Sequence, residues 1–217
     1  MEKVSGVSAV IAKGENHPSF DYQCPLLSLP LAFRTTIEDI PSATSYLVAD
    51  DKKVSYWQMR LGEKSAPRIG VVWSSVSLFG DDRKRGLTLE EFASALPKGL
   101  EYICLQKQLK DLDVAFFKTY QGMQFYGEEL LDFADTAALI DCLDLVITID
   151  TAVAHLSGAL GKKTWLMLPY VPDWRWFLNR EDTPWYPQMK LYRQAALGDW
   201  SGVFNRISSD LRTLIVN

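Results

Sequence analysis

The hydrophobic pattern of the chain changes near residue 68. Before it, Gly14, Pro18, Pro25, Pro30, Pro41 and Pro67 interrupt the sequence so often that no helical or strand period lasts long. Residues 46–49 read as a short strand and residues 55–61 as a helix, within an arm (residues 1–67) that packs on a domain instead of forming one. From residue 68 onward, apolar runs alternate with helical stretches. Residues 68–73 (RIGVVW), 100–106 (LEYICLQ), 143–149 (LDLVITI) and 163–168 (KTWLML) are near-continuous apolar segments, as expected of strands covered on both faces. Between them, residues 74–86 read as a polar loop and 87–96 as a helix. Residues 110–120 fit either helix or loop, 135–142 read as a helix, and 151–160 as a helix stopped by Gly161. Strands joined through helices of this length predict crossover connections and a parallel sheet. Residues 68–217 are therefore expected to form an α/β, Rossmann-like doubly wound domain.

In such a sheet ligands bind outside the carboxyl ends of the strands. The polar residues that follow the strands are Ser74, Ser75, Arg83 and Arg85 after the first, Gln106 and Lys107 after the second, and Asp150, Thr151 and His155 after the third. Asp173, Trp174 and Arg175 lie beyond the fourth. The most informative segment is 149–155 (IDTAVAH), where a strand turns at once into a helix. The amides of Thr151, Ala152 and Val153 would be free there, and a helix start attracts phosphate through its N–H groups and dipole. Four-residue spacing places Thr151 and His155 on one helical face. The competing reading makes Asp150 a helix cap and His155 a satisfied structural histidine. Arg83 and Arg85 suit phosphate, or pair with Asp81 and Asp82 on a solvated loop. Residues 170–187 hold six aromatics, which either stack on a ligand, with Trp174 foremost, or fasten a long loop to the domain. Asp111-Leu112-Asp113 has the D-x-D form found in some metal-dependent enzymes, but it follows no clear strand and is set aside.

Composition narrows the class. The 217 residues are 47% hydrophobic with a net charge of −4, which does not favour nucleic acid or anionic membranes as partners. No apolar run approaches the roughly 18 residues that span a bilayer. Cys24, Cys104 and Cys142 lack paired spacing and read as free thiols of a cytoplasmic protein. There is no glycine-rich dinucleotide or P-loop signature and no metal-ligand spacing, so neither a cofactor nor a metal is expected.

The segment DLVITIDTAVAHLSGALGKKTWLMLPY resembles the donor-binding signature of the heptosyltransferase-like glycosyltransferases of family 9, in which Asp-[Ser/Thr]-x-x-x-His-x-x-x-Ala precedes a final strand. Taken whole, the chain resembles the carboxyl-terminal region of bacterial tetratricopeptide-repeat proteins that carry such a module. The matching pieces include FDYQCPLLSLPLAF, IGVVWSS, DDRKRGLTL, LQK and LPYVPDWRWFLNREDTPWYPQMKLYRQ. The resemblance implies the carboxyl-terminal, donor-binding domain of a GT-B glycosyltransferase. Ser74, Arg83, Arg85, Lys107, Asp150, Thr151, Ala152 and His155 would line the nucleotide-sugar site. The helix from Thr151 would take the diphosphate, and Asp132, Phe133 and Thr136 would border the base and ribose. The implied chemistry is metal-independent, inverting transfer to a glycan or protein acceptor. Residues 1–40 look like the end of an amino-terminal domain that otherwise supplies the catalytic carboxylate. The chain alone is then expected to be inactive and to dimerise through the surface left uncovered. A non-catalytic nucleotide-binding or protein-interaction module is the alternative.

Overall fold

The computed structural model describes residue 4, residues 6–74 and residues 87–216. Its centre is a six-stranded sheet of β1 (Arg68–Val72), β2 (Glu101–Cys104), β3 (Gln124–Phe125), β4 (Leu145–Ile149), β5 (Thr164–Leu168) and β6 (Met189–Arg193). The strands lie in the order β3-β2-β1-β4-β5-β6 and every neighbouring pair is parallel. This is the doubly wound order, with its reversal between β1 and β4. Every residue of β1, β4 and β5 is buried, which accounts for their unbroken apolar sequences.

Ahead of the sheet come α1 (Leu29–Phe33) and α2 (Asp51–Leu61). The crossovers carry α3 (Leu89–Ala93), α4 (Asp111–Phe117), α5 (Phe133–Asp141) and α6 (Ala152–Ala159), and α7 (Ser201–Val216) closes the described chain. Residues 110–120 thus resolve as helix over their first part. Residues 46–49 are not a strand. The backbone amides of Tyr46 and Leu47 instead both donate to the carbonyl of Ala159 at the end of α6, so this stretch satisfies a helix terminus and not a sheet edge. Gly161, at φ +70°, takes the left-handed position after α6. A side chain there would also meet the Thr44 carbonyl at 2.4 Å.

The main core is built on β1, β2 and β4. It takes Trp57 from α2, Phe92 from α3, Leu139 and Ile140 from α5, and Val203, Ile207 and Leu211 from α7. Helix α2 starts firmly because the Asp50 carboxylate accepts from the amides of Lys52 and Lys53. A second cluster covers the β5–β6 side and contains Ala154, Leu166, Leu168, Trp176, Tyr186 and Leu191. Much of the aromatic stretch 170–187 is spent on this cluster, with Trp176 fully buried. Gly158 makes the packing possible, since a Cβ there would sit 2.5 Å from the Tyr186 ring.

Candidate functional site

The reversal of strand order opens a cavity of about 600 Å³ at the carboxyl ends of β1, β2 and β4. Its floor comes from Val72 and Leu105 at the ends of β1 and β2. One wall is Leu130–Phe133 with Thr136, where α5 begins, and the other is Thr151, Ala152 and Val153 at the start of α6. Ser74, Gln106, Lys107 and Gln108 complete the rim. A second cavity of about 570 Å³ continues past Lys107 and Gln108 toward Phe117, Lys118 and Phe125.

Each element of this rim has a local cause. Gln106 is buried, and its side-chain oxygen accepts from the amides of Trp73 (2.9 Å) and Ser74 (3.0 Å), while its amide nitrogen donates to Ser74 Oγ (3.2 Å). It therefore ties the end of β1 to the end of β2 and is consumed by that task. Asp113 lies beneath, 2% exposed, accepting from the Trp73 indole (2.9 Å) and from the Leu89 amide at the start of α3 (2.7 Å). The Leu87 amide donates to the Trp73 carbonyl at 3.1 Å, so the chain on both sides of residues 75–86 is joined at a neck beside the cavity. Asp113 is thereby a structural anchor, and its D-x-D partner Asp111 is exposed.

Helix α5 begins with a reciprocal cap. Asp132 accepts from the amides of Ala134 and Asp135, and Asp135 accepts from the amides of Leu131 and Asp132. The amide of Asp135 is the main reason the Asp132 carboxyl is held below its usual range. Lys107 donates to the Leu131 carbonyl at 3.1 Å. Phe133 is exposed at the cavity mouth. Thr151 is the N-cap residue of α6, yet its hydroxyl turns back to Thr148 Oγ1 at 3.3 Å, and among the described residues no side chain caps the helix. The first amides of α6 are thus left toward the cavity that Thr151, Ala152 and Val153 line.

The structure brings together Ser74, Gln106, Lys107, Asp132, Phe133, Thr136, Thr151, Ala152 and Val153 from the residues read in the sequence. Three others, Asp150, His155 and Trp174, are not among the residues that line the cavity. His155 stacks on Trp176 (5.4 Å between ring centroids), its Nδ1 lies 3.0 Å from the Tyr186 hydroxyl, and its Nε2 is 3.9 Å from Asp150. Burial lowers its pKa, against the opposing pull of Asp150. Trp174 is 65% exposed, with the Arg175 guanidinium 4.7 Å over its ring. Arg83 and Arg85 lie outside the described residues. The cavity-lining Val72, Leu105, Gln108, Leu130 and Leu131 were not singled out in the sequence, where they read only as strand core or loop. No group of His, Cys, Asp or Glu among the described residues has the arrangement to hold a metal ion, and no described helix is long and apolar enough to cross a membrane.

The fold is an α/β domain whose six-stranded parallel sheet matches that of GT-B glycosyltransferase structures. The chain is similar in structure to the E. coli ADP-heptose LPS heptosyltransferase II (16% identity, TM-score 0.51), over 82% of this chain and 56% of that one. It is likewise similar to a glycosyl transferase of family 9 from Veillonella parvula (12% identity, TM-score 0.54), over 79% of this chain and 53% of that one. In sequence it is 28% identical over 204 residues to Protein FlbA of Caulobacter vibrioides, covering 91% of this chain and 34% of that protein. The chain thus spans about half the length of the solved structures and a third of that relative. No protein-family model matches it.

Proposed function

We propose that this chain is the donor-binding half of a glycosyltransferase and holds a nucleoside-diphosphate sugar at the start of α6. The observation that carries this reading is a single juxtaposition. A helix start that no described side chain caps, built from the small residues Thr151 and Ala152, opens into a cavity at the sheet's switch point. In this reading the diphosphate takes the first N–H groups of α6, and Lys107 adds positive charge at the rim. The base and ribose lie along Leu130–Phe133 and Thr136, with the Phe133 ring available for stacking. The acceptor hydroxyl loses its proton to a carboxylate and attacks the anomeric carbon with inversion. The bond from that carbon to the diphosphate breaks, and the helix start stabilises the charge left on the departing nucleotide. In this reading the carboxylate is supplied from outside residues 68–217, so donor binding can be measured apart from turnover. A second reading, a protein-interaction module, is favoured by Phe20, Tyr22, Leu26, Leu27, Leu31 and Phe33, large apolar side chains exposed within a short stretch.

The test is calorimetric titration of the chain with UDP, ADP and GDP, beside an Ala152→Glu variant. A glutamate in the first turn of a helix complements the dipole, so folding is retained. Placed about 6 Å from a phosphate charge at an effective dielectric of about 20, it repels by about 3 kcal/mol, on the order of a hundredfold in affinity. Saturable binding of one diphosphate that is lost in the variant is the expected result. If none of the three binds at millimolar concentration, the donor-site reading fails and the interaction module becomes the better account.

A further inference from the structure

We infer that Lys53, a residue of α2 outside the cavity, is a positioning residue that fixes the cavity wall at Leu131–Phe133 and so sets affinity for the nucleoside portion of a ligand. The inference rests on the donor-site reading above. Lys53 donates to Asp135 Oδ1 and lies 4.0 Å from Asp132 Oδ1. Asp135 is buried, and its other oxygen accepts from the backbone amides of Leu131 (3.2 Å) and Asp132 (3.3 Å). Leu131, Asp132 and Phe133 are consecutive residues of the cavity wall, and the Leu131 carbonyl in turn accepts from Lys107 on the opposite rim. One ammonium group therefore holds the carboxylate that holds the wall.

The charge arrangement makes Lys53 more than a convenient donor. The reciprocal cap of α5 sets two carboxylates side by side, Asp132 and Asp135, at the edge of a cavity read as taking a polyanion. Like charges at this spacing repel each other and repel such a ligand unless a cation is shared between them. Lys53 touches both. It is itself held by the main chain, because its own amide donates to Asp50 at the start of α2. The rest of α2 is fastened independently to the same stretch of chain. Trp57 is fully buried, Tyr56 donates to Glu129 at 2.7 Å, and Arg60 pairs with Glu129 at 3.0 Å. Removing the Lys53 ammonium leaves the helix docked but frees the Asp135 carboxylate to turn from the wall.

The experiment compares the chain with Lys53→Met and Lys53→Arg variants, each titrated with inorganic pyrophosphate and with the nucleoside diphosphate that the chain binds, at 0.15 M salt. Pyrophosphate reports on the α6 start alone, and the nucleoside diphosphate also reports on the Leu131–Phe133 wall. The expected result is an affinity about tenfold weaker for the nucleoside diphosphate in Lys53→Met, with pyrophosphate affinity changed less than twofold and Lys53→Arg restoring most of the loss. Screening beyond about 8 Å at this salt keeps a bare charge effect small. Equal losses for both ligands, or no loss for either, overturn the positioning role. If the unaltered chain binds neither ligand, the donor-site reading itself falls and this role falls with it.

Discussion

Asp113 offers the sharpest test of how the cavity floor is built. Its two oxygens accept from two different buried donors, the Trp73 indole and the Leu89 amide, and the side chain is 2% exposed. Asp113→Asn keeps the shape but turns one acceptor into an NH2 group, so one of the two donors must face another donor. A buried donor left unsatisfied costs about 1–3 kcal/mol, and the lost bond comes from the base of the β1–α3 neck. The expected destabilisation is therefore about 2–3 kcal/mol for Asp113→Asn. It is somewhat larger for Asp113→Ala, which orphans both donors. With a urea m-value of roughly 2–3 kcal/mol/M for a chain of this size, the unfolding midpoint moves down by about 1 M. Urea titration followed by tryptophan fluorescence reads this directly. Asp111→Asn is the control; that side chain is exposed, and its loss should stay within about 0.5 kcal/mol. A midpoint for Asp113→Asn within about 0.2 M of the unaltered chain, roughly 0.5 kcal/mol at this m-value, would refute the anchor, and equal effects at both positions would return attention to the D-x-D pair as a unit.

Two further predictions concern the aromatic cluster. Gly158→Ala puts a methyl 2.5 Å from the Tyr186 ring and should cost about 1–3 kcal/mol by overpacking, measured by the same denaturation, and a neutral result would show that the ring has room to move. His155 has its pKa lowered by burial, so below the ordinary value near 6.5 the unfolded chain binds more protons than the folded one, and stability falls as pH drops through that value. Unfolding midpoints between pH 7.5 and 5 should decline, the decline should be shallower in His155→Gln, and parallel curves for the two proteins would contradict the assignment.

The four central strands were legible because burial on both faces writes an unbroken apolar run, as in Leu145–Ile149. The edge strands were not. Gln124–Phe125 is two residues long, and Met189–Arg193 mixes the buried Met189, Leu191 and Tyr192 with half-exposed Lys190 and Arg193. Helix α7 was passed over although Val203, Ile207 and Leu211 recur at four-residue spacing and are all buried. The rule that ligands gather at the carboxyl ends of parallel strands pointed to Ser74, Lys107 and the start of α6, all of which line the cavity. The four-residue spacing of Thr151 and His155 does not put them on one helical face, because Thr151 is a cap residue with extended backbone (φ −140°, ψ 172°). Lys53 gave no signal at all, since its tie to Asp135 spans 82 positions and no local pattern encodes it.

The bond between the Trp73 carbonyl and the Leu87 amide has a consequence for how such a domain can diversify. A segment whose two ends are already joined adds little to the folding free energy whatever its length, because closure entropy grows only with the logarithm of loop size, about 0.6 kcal/mol per doubling. Chain length between Trp73 and Leu87 can therefore change at little cost while the sheet and the α6 start stay as they are.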